Sequence, residues 1–278
     1  MALMLRIGRL LLLAGIAVYL LLPIMAVVLY AVATRWSTHL LPDGYTMQHW
    51  QTALTDPRLI AVMLRTLGLA IAVTLLVNLL VIPAVYWQWT VNPRIRHHVE
   101  LIAMIPFALP YVVIAFSILL LSGMLLPFAQ GTVWLLLLAH GAIAFPFLYW
   151  AVDGAMAAAQ VPLLVEAAQT CGASPGAILR RVVLPNIATG IATGSMLVFA
   201  TSFNEFALVQ ILVGDRFETL SLYSLDLLTS ANADFNQLAV VTCLMFGTVL
   251  LISVASLYWD GGQKQISQRF ISGNAKKT

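Results

Sequence analysis

Long stretches without Asp, Glu, Lys or Arg dominate this chain. Five stand out, Leu10–Ala33, Thr66–Pro93, Leu101–Val152, Val182–Asn204 and Phe235–Trp259, of 24, 28, 52, 23 and 25 residues. About 20 apolar residues in a helix cross the hydrocarbon of a bilayer, and a charge near its centre is costly. The 52-residue run would reach about 78 Å as one helix, against a hydrocarbon core of about 30 Å. It therefore turns back near its middle, where Ser122, Gly123, Pro127, Gln130 and Gly131 supply turn chemistry. The pattern predicts an all-α polytopic membrane protein with six transmembrane helices, at approximately 10–33, 62–87, 101–122, 132–152, 187–211 and 236–259, forming a single transmembrane domain over 1–278.

Composition supports this reading and excludes a water-soluble fold. Of the 278 residues 61% are hydrophobic and 9% charged, and a soluble domain of this size has too much exposed surface to hide that much apolar material. Cys171 and Cys243 read as small apolar residues rather than a disulfide framework. The formal charge of +3 is small and scattered, which argues against nucleic acid as a partner.

The distribution of charge predicts orientation. Six crossings place both termini on one side, which then holds Arg6, Arg9, Arg94, Arg96, Arg180, Arg181, Lys264, Arg269, Lys276 and Lys277. Only Arg35, Arg58, Arg65 and Arg216 fall on the other, so the first side is expected to be cytoplasmic. Tyr and Trp residues at the run ends, such as Trp36, Trp87, Trp150 and Trp259, suit the headgroup level. Arg6, Arg9 and the later Ala31-Val32-Ala33 imitate a secretory signal, but the apolar run is too long for one, and an uncleaved first helix is expected.

Enzymatic signatures are missing. The chain has no H-E-x-x-H, no G-x-S-x-G and no G-x-x-x-x-G-K-[ST], so if ATP is used another chain binds it. His140 lies inside a span, where it either lines a pathway or bonds between helices.

The longest connection on the predicted cytoplasmic side runs over 153–185 and reads as helix, turn, helix. Gly172 can take the left-handed conformation that ends the first helix, Ser174 is placed to cap the second, Pro175 suits its first turn, and Pro185 ends or kinks it. Ile178, Leu179, Val182 and Val183 share a face opposite Arg180 and Arg181, as in a helix lying along a membrane surface. Ala167, Ala168 and Gly172 allow close approach of another surface, with Glu166 offering one charged contact. From the residues alone, a docking knob and an ordinary amphipathic cap are both open.

The spacing of Glu166-Ala167-Ala168, Gly172 and Val182-x-Leu184-Pro185 resembles the EAA loop of bacterial binding-protein-dependent ABC importer permeases, E-A-A-x3-G-x9-I-x-L-P, with Val182 in place of Ile. The resemblance implies a type I permease fold whose loop forms a coupling helix, with Glu166, Ala167, Ala168, Gly172, Ser174, Arg180, Arg181, Leu184 and Pro185 meeting a separate ATPase subunit. It also implies alternating access driven by two nucleotide-binding subunits that hold ATP and Mg, with no cofactor in this chain. A second, different permease subunit and an external solute-binding protein would complete an assembly in the bacterial inner membrane.

Two further segments are candidates for the solute pathway. Ser202-Phe203-Asn204-Glu205-Phe206 places an ionisable residue within or at the edge of the membrane; Glu205 reads either as a pathway group or as a carboxylate that caps a helix or snorkels. In the third span Pro106 and Pro110, followed by Tyr111, interrupt a helix, which suits a cavity wall or a simple kink. Both segments resemble the permeases for polyamines, ferric iron, thiamine and phosphonates. Asp43, Asp56, Asp215, Glu218, Asp226 and Asp234 on the predicted outer side lean towards a cationic solute such as a polyamine, or serve docking of the binding protein. A secondary transporter or channel is the rival reading, expected to show inverted repeats, broken helices or several buried charges.

Overall fold

The structure, a computed structural model, describes residues 2–36, 39, 41–231 and 233–274. Lys276 and Lys277 lie outside the described residues, as do the side chains of Trp259, Lys264 and Arg269. Among the described residues the fold is all-α, with one isolated bridge between Ala33 and Tyr45. The helices are α1 Ala2–Val32, α2 Gln48–Thr55, α3 Pro57–Thr90, α4 Arg96–Ala108, α5 Tyr111–Leu125, α6 Val133–Ala158, α7 Val161–Thr170, α8 Pro175–Ile178, α9 Leu184–Asn186, α10 Ala188–Phe203, α11 Ala207–Leu212, α12 Leu220–Thr229 and α13 Phe235–Asn274.

Among the described residues four helices, Gly8–Val32, Pro57–Thr90, Val133–Ala158 and Phe235–Ser256, are long and apolar enough to cross a membrane. Two bent pairs, Pro93–Ala108 with Tyr111–Leu125 and Pro175–Asn186 with Ala188–Phe203, raise the number to six if each pair is one span.

The predicted third span, 101–122, is therefore no single rod: its halves meet at 106°. Pro110 forces the residue before it out of helical geometry, and Leu109 is extended at φ −118°, ψ 139°. Pro106, in contrast, stays inside α4. The predicted fifth span, 187–211, is interrupted between Phe203 and Ala207. The helix carrying the fourth, predicted to stop at 152, continues through Asp153 to Ala158, so the first residues of the 153–185 connection extend the same helix.

Residues group into two compact units, one of Leu64–Leu222 with residues from Val249 on, the other of residues up to Met63 with Tyr223–Thr248. In the first, α10 packs on α6 through glycines. A Cβ on Gly190 would stand 2.5 Å from Ala155 Cβ and 2.7 Å from the Ala151 carbonyl oxygen. One turn on, a Cβ on Gly194 would stand 3.0 Å from Leu148 Cα. Small residues four apart let helix backbones approach where no hydrophobic force separates helix from lipid. Asn78 and Ser195 exchange hydrogen bonds of 2.8 and 3.1 Å, adding a polar tie between α3 and α10.

In the second unit the predicted outer charges are partly spent on one another. Arg58 pairs with Asp226 at 2.8 Å and lies over the Tyr223 ring, while the Tyr223 hydroxyl donates to Asp56 at 2.9 Å. Two of the carboxylates that lean towards a cationic solute are thus engaged within the chain.

Candidate functional site

The Ala-rich connection builds an exposed strip. Val161 and Val165 turn inward from α7, while Leu163, Glu166, Ala167 and Thr170 are exposed at helical spacing. Ala168 is half-buried. The helix ends as its sequence requires. Gly172 sits at φ +78°, its N–H donates to Gln169 O at 2.9 Å, and Ala173 N–H donates to Ala168 O at 3.1 Å. That pair of bonds satisfies carbonyls the helix leaves open and needs a residue without a Cβ clash. Gly172→Val should cost about 1 kcal/mol, read as a lower unfolding temperature of the purified protein, although no atom would meet the new Cβ within 4 Å.

The next helix differs in detail from expectation. Ser174 stands at the N-cap position of α8 in extended geometry, but its hydroxyl makes no cap bond; its carbonyl accepts Ile178 N–H at 2.9 Å instead. Leu179–Val183 widens into a π turn before Pro185, and Leu184 N–H reaches back to Leu179 O. Such a turn accommodates the donor that proline lacks. Ile178 and Val183 are buried within the protein, whereas Arg180, Arg181 and Pro185 are exposed and Leu184 is half-buried. The apolar face is therefore used for packing in this chain, and the predicted coupling residues share one outward-facing segment.

The second group of candidates splits. Pro110 and Asn204 are exposed, Tyr111 is half-buried, and Pro106, Ser202 and Glu205 are buried. Glu205 is 6% exposed and caps α11, accepting from Leu208 N–H at 2.9 Å and Val209 N–H at 3.4 Å. Its other neighbour is His140, fully buried, with Nε2 3.9 Å from the carboxylate, beyond hydrogen-bonding distance. His140 Nδ1 lies 2.9 Å from Leu136 O. A carbonyl only accepts, so Nδ1 carries the proton. Nε2 and the Ser202 hydroxyl have no hydrogen-bond partner among the described residues. α11 packs against α5 and α6, which brings the two interrupted spans together.

A third cluster escapes the sequence reading. Asp153 accepts from Gln88 Nε2 at 3.2 Å, Trp89 Nε1 at 2.8 Å and Arg96 at 2.8 Å. Arg96 also pairs with Glu100 at 3.1 Å and lies over the Trp89 ring, and the Tyr149 hydroxyl donates to Gln88 at 3.3 Å. The available signal was a lone Asp one residue past the long uncharged run Leu101–Val152, with Arg96 and Glu100 just before that same run. Gly190-x-x-x-Gly194 was equally readable as a helix-packing motif inside an apolar span.

Residues 86–272 match the family described as binding-protein-dependent transport system inner membrane component, which is more than half of the chain. The chain belongs to that family. It is 29% identical over 176 residues to the molybdenum transport system permease protein ModB of Mycobacterium tuberculosis, covering 59% of this chain and 65% of that protein. It is 28% identical over 222 residues to the spermidine/putrescine transport system permease protein PotC of Escherichia coli K12, covering 79% of this chain and 77% of that protein. Among solved structures, a chain of a bacterial ABC transporter that imports the acidic polysaccharide alginate superposes with a TM-score of 0.70 at 15% identity, covering 92% of this chain and 96% of that chain. A chain of the inward-facing MetNI methionine ABC transporter gives 0.59 at 17% identity, covering 75% of this chain and 99% of that one. At these identities the two structures speak for the fold. Family membership places this member of the fold class as a multi-pass inner-membrane component.

Proposed function

We propose that this chain is a permease subunit of an ATP-driven importer, forming half of a solute pathway and coupled through α7 to a separate ATPase subunit. The observation that carries the reading is the exposed strip of Leu163, Glu166 and Ala167, backed by buried Val161 and Val165 and ended by Gly172 in its left-handed turn. An outward-facing apolar and acidic strip needs a partner surface, and the family match names the kind of system. Two nucleotide-binding subunits hold the ATP and Mg, a second permease supplies the other half of the pathway, and an external binding protein delivers the solute. Both termini and α7 face the cytoplasm in this arrangement. Interruptions of helices suit a secondary transporter too, but the family match favours the ATP-driven system.

The solute proposed is small and charged, with a polyamine the first to test. The relative named for spermidine and putrescine aligns over 79% of this chain. Uptake into sealed vesicles should then fall on ATP depletion and withstand collapse of the proton gradient, with putrescine competing and molybdate not. The reverse energy dependence overturns the importer reading; competition by molybdate alone overturns the polyamine.

Glu166→Lys reverses the only charge on the exposed strip of α7. Pull-down of the tagged chain should recover the ATPase subunit at least tenfold less well than wild type, since a like-charge or unpaired contact at a buried interface costs a few kcal/mol. Undiminished recovery together with undiminished uptake removes α7 from the coupling surface.

A further inference from the structure

The end of α3 and the start of α4, adjacent in sequence, converge on the Asp153 carboxylate from 57 to 65 positions away. Gln88 and Trp89 come from the end of α3, Arg96 is the first residue of α4, and Asp153 itself lies near the end of α6. Its side chain is 10% exposed and takes three donors, one of them the Arg96 guanidinium. A carboxylate so enclosed is held in one place, because losing a partner leaves a buried charge uncompensated. Charge-assisted bonds of this length also fix direction as well as distance.

What each partner is attached to gives the cluster its meaning. From Asp153 helix α6 runs unbroken to Ala158 and then turns directly into α7. From Arg96 helix α4 runs to the bend at Leu109 and Pro110, beyond which α5 packs on α11, the short helix capped by Glu205. Helices α4 and α6 also meet through apolar packing, in which the Phe107 ring lies against Phe147 and Trp150. That contact is apolar and has no donor–acceptor pair to part, so ring contact survives small shifts. The Arg96 to Asp153 bond does not.

We propose that Arg96 and Asp153 are positioning residues, a joint that passes displacement of α7 and α6 to α4 and the broken third span, and so sets how much solute moves per ATP hydrolysed. This rests on the importer reading given above. The two groups act as one unit: removing either side chain's charge breaks the same polar tie between two helices, and removing the second breaks no further tie. Trp89 and Gln88 orient the carboxylate, and Glu100 holds the far side of the guanidinium.

The test uses the whole transporter, reconstituted with its ATPase, second permease and binding protein, and compares Asp153→Asn, Arg96→Met and the double variant. Solute transported per ATP hydrolysed should fall roughly tenfold in each single variant, in the range of ordinary coupling energies. The double should match the singles rather than multiply them. Arg96→Lys, which keeps a charge opposite Asp153, should retain more than half of the wild-type ratio. Should Arg96→Met yield too little complex, the comparison of Arg96→Lys with Asp153→Asn carries the decision. A loss of assembled complex with an unchanged ratio would make the pair merely structural and overturn the proposal, as would a double variant worse than the singles by the product of their effects. Wild-type protein that moves solute without ATP would sink the importer reading instead, an outcome visible before any variant is made.

Discussion

Gly190→Leu should remove nearly all folded protein from the membrane fraction. The new Cβ would stand 2.7 Å from the backbone oxygen of Ala151 and 2.5 Å from Ala155 Cβ, neither of which is the end of a flexible side chain. Helices α6 and α10 would have to move apart, and the contact they lose is a main one within their compact unit. Overpacking a tight core costs about 1–3 kcal/mol or more, and three further carbons beyond Cβ place this substitution past the top of that range. Gly194→Ala should be milder than Gly190→Ala, since part of what it meets is the movable Leu148 Cδ1, at 2.7 Å, although Leu148 Cα at 3.0 Å still opposes it. The same leucine placed at Gly15, where nothing lies within 4 Å, should leave abundance unchanged. Immunoblots of membrane fractions and unfolding temperatures in detergent check the ranking. Equal yields for the Gly15 and Gly190 variants would contradict the packing argument.

The second large effect is expected at Glu205, where alanine and glutamine should behave very differently. The carboxylate accepts the first free N–H groups of α11 in a buried setting. Within a membrane protein no water stands ready to replace it, so Glu205→Ala leaves those donors unpaired. Hydrogen bonds to a charged group contribute about 1.5–3 kcal/mol each, and an orphaned buried donor costs about 1–3 kcal/mol. Glu205→Gln keeps a carbonyl oxygen where the cap needs an acceptor, so its yield and thermal stability should stay close to wild type while those of the alanine variant collapse. The pair also separates the two roles left open by sequence. If Glu205→Gln is stable and transports normally, the residue is a cap; if it is stable and transports poorly, the negative charge itself serves the solute.

Much of the fold was legible because lipid enforces a coarse code. Uncharged runs mark crossings, and α1, α3, α6 and α13 follow them. The end of α7 was legible for a local reason, since few residues other than glycine sit easily at φ +78°. The 106° bend was only partly so. Two prolines four apart announce an irregularity, but which of them breaks the helix depends on neighbours: Pro106 is packed inside α4 while Pro110 starts a new direction.

The polar clusters were hidden for a different reason. Asp153 and Arg96 are separated by 57 positions and Asn78 and Ser195 by 117, so their meeting is a product of tertiary packing that no local pattern encodes. Charge counting placed Arg96 on the predicted cytoplasmic side and Asp153 at the start of the 153–185 connection, with nothing to pair them. In the folded chain each is the other's partner. Asp56 and Asp226 show the same lesson for the solute, since their charges are met by groups of this chain.

Gln160, between α6 and α7, sits at φ 49°, ψ 48°, in the region that favours glycine. A side chain held there costs about 1 kcal/mol relative to relaxed geometry, and a glycine would remove that penalty while widening the range of angles the hinge can adopt. A push rod works only if its elbow refuses to fold under load. On the coupling role proposed for α7, the glutamine keeps the elbow stiff, so Gln160→Gly should yield a sturdier protein that moves less solute per ATP hydrolysed.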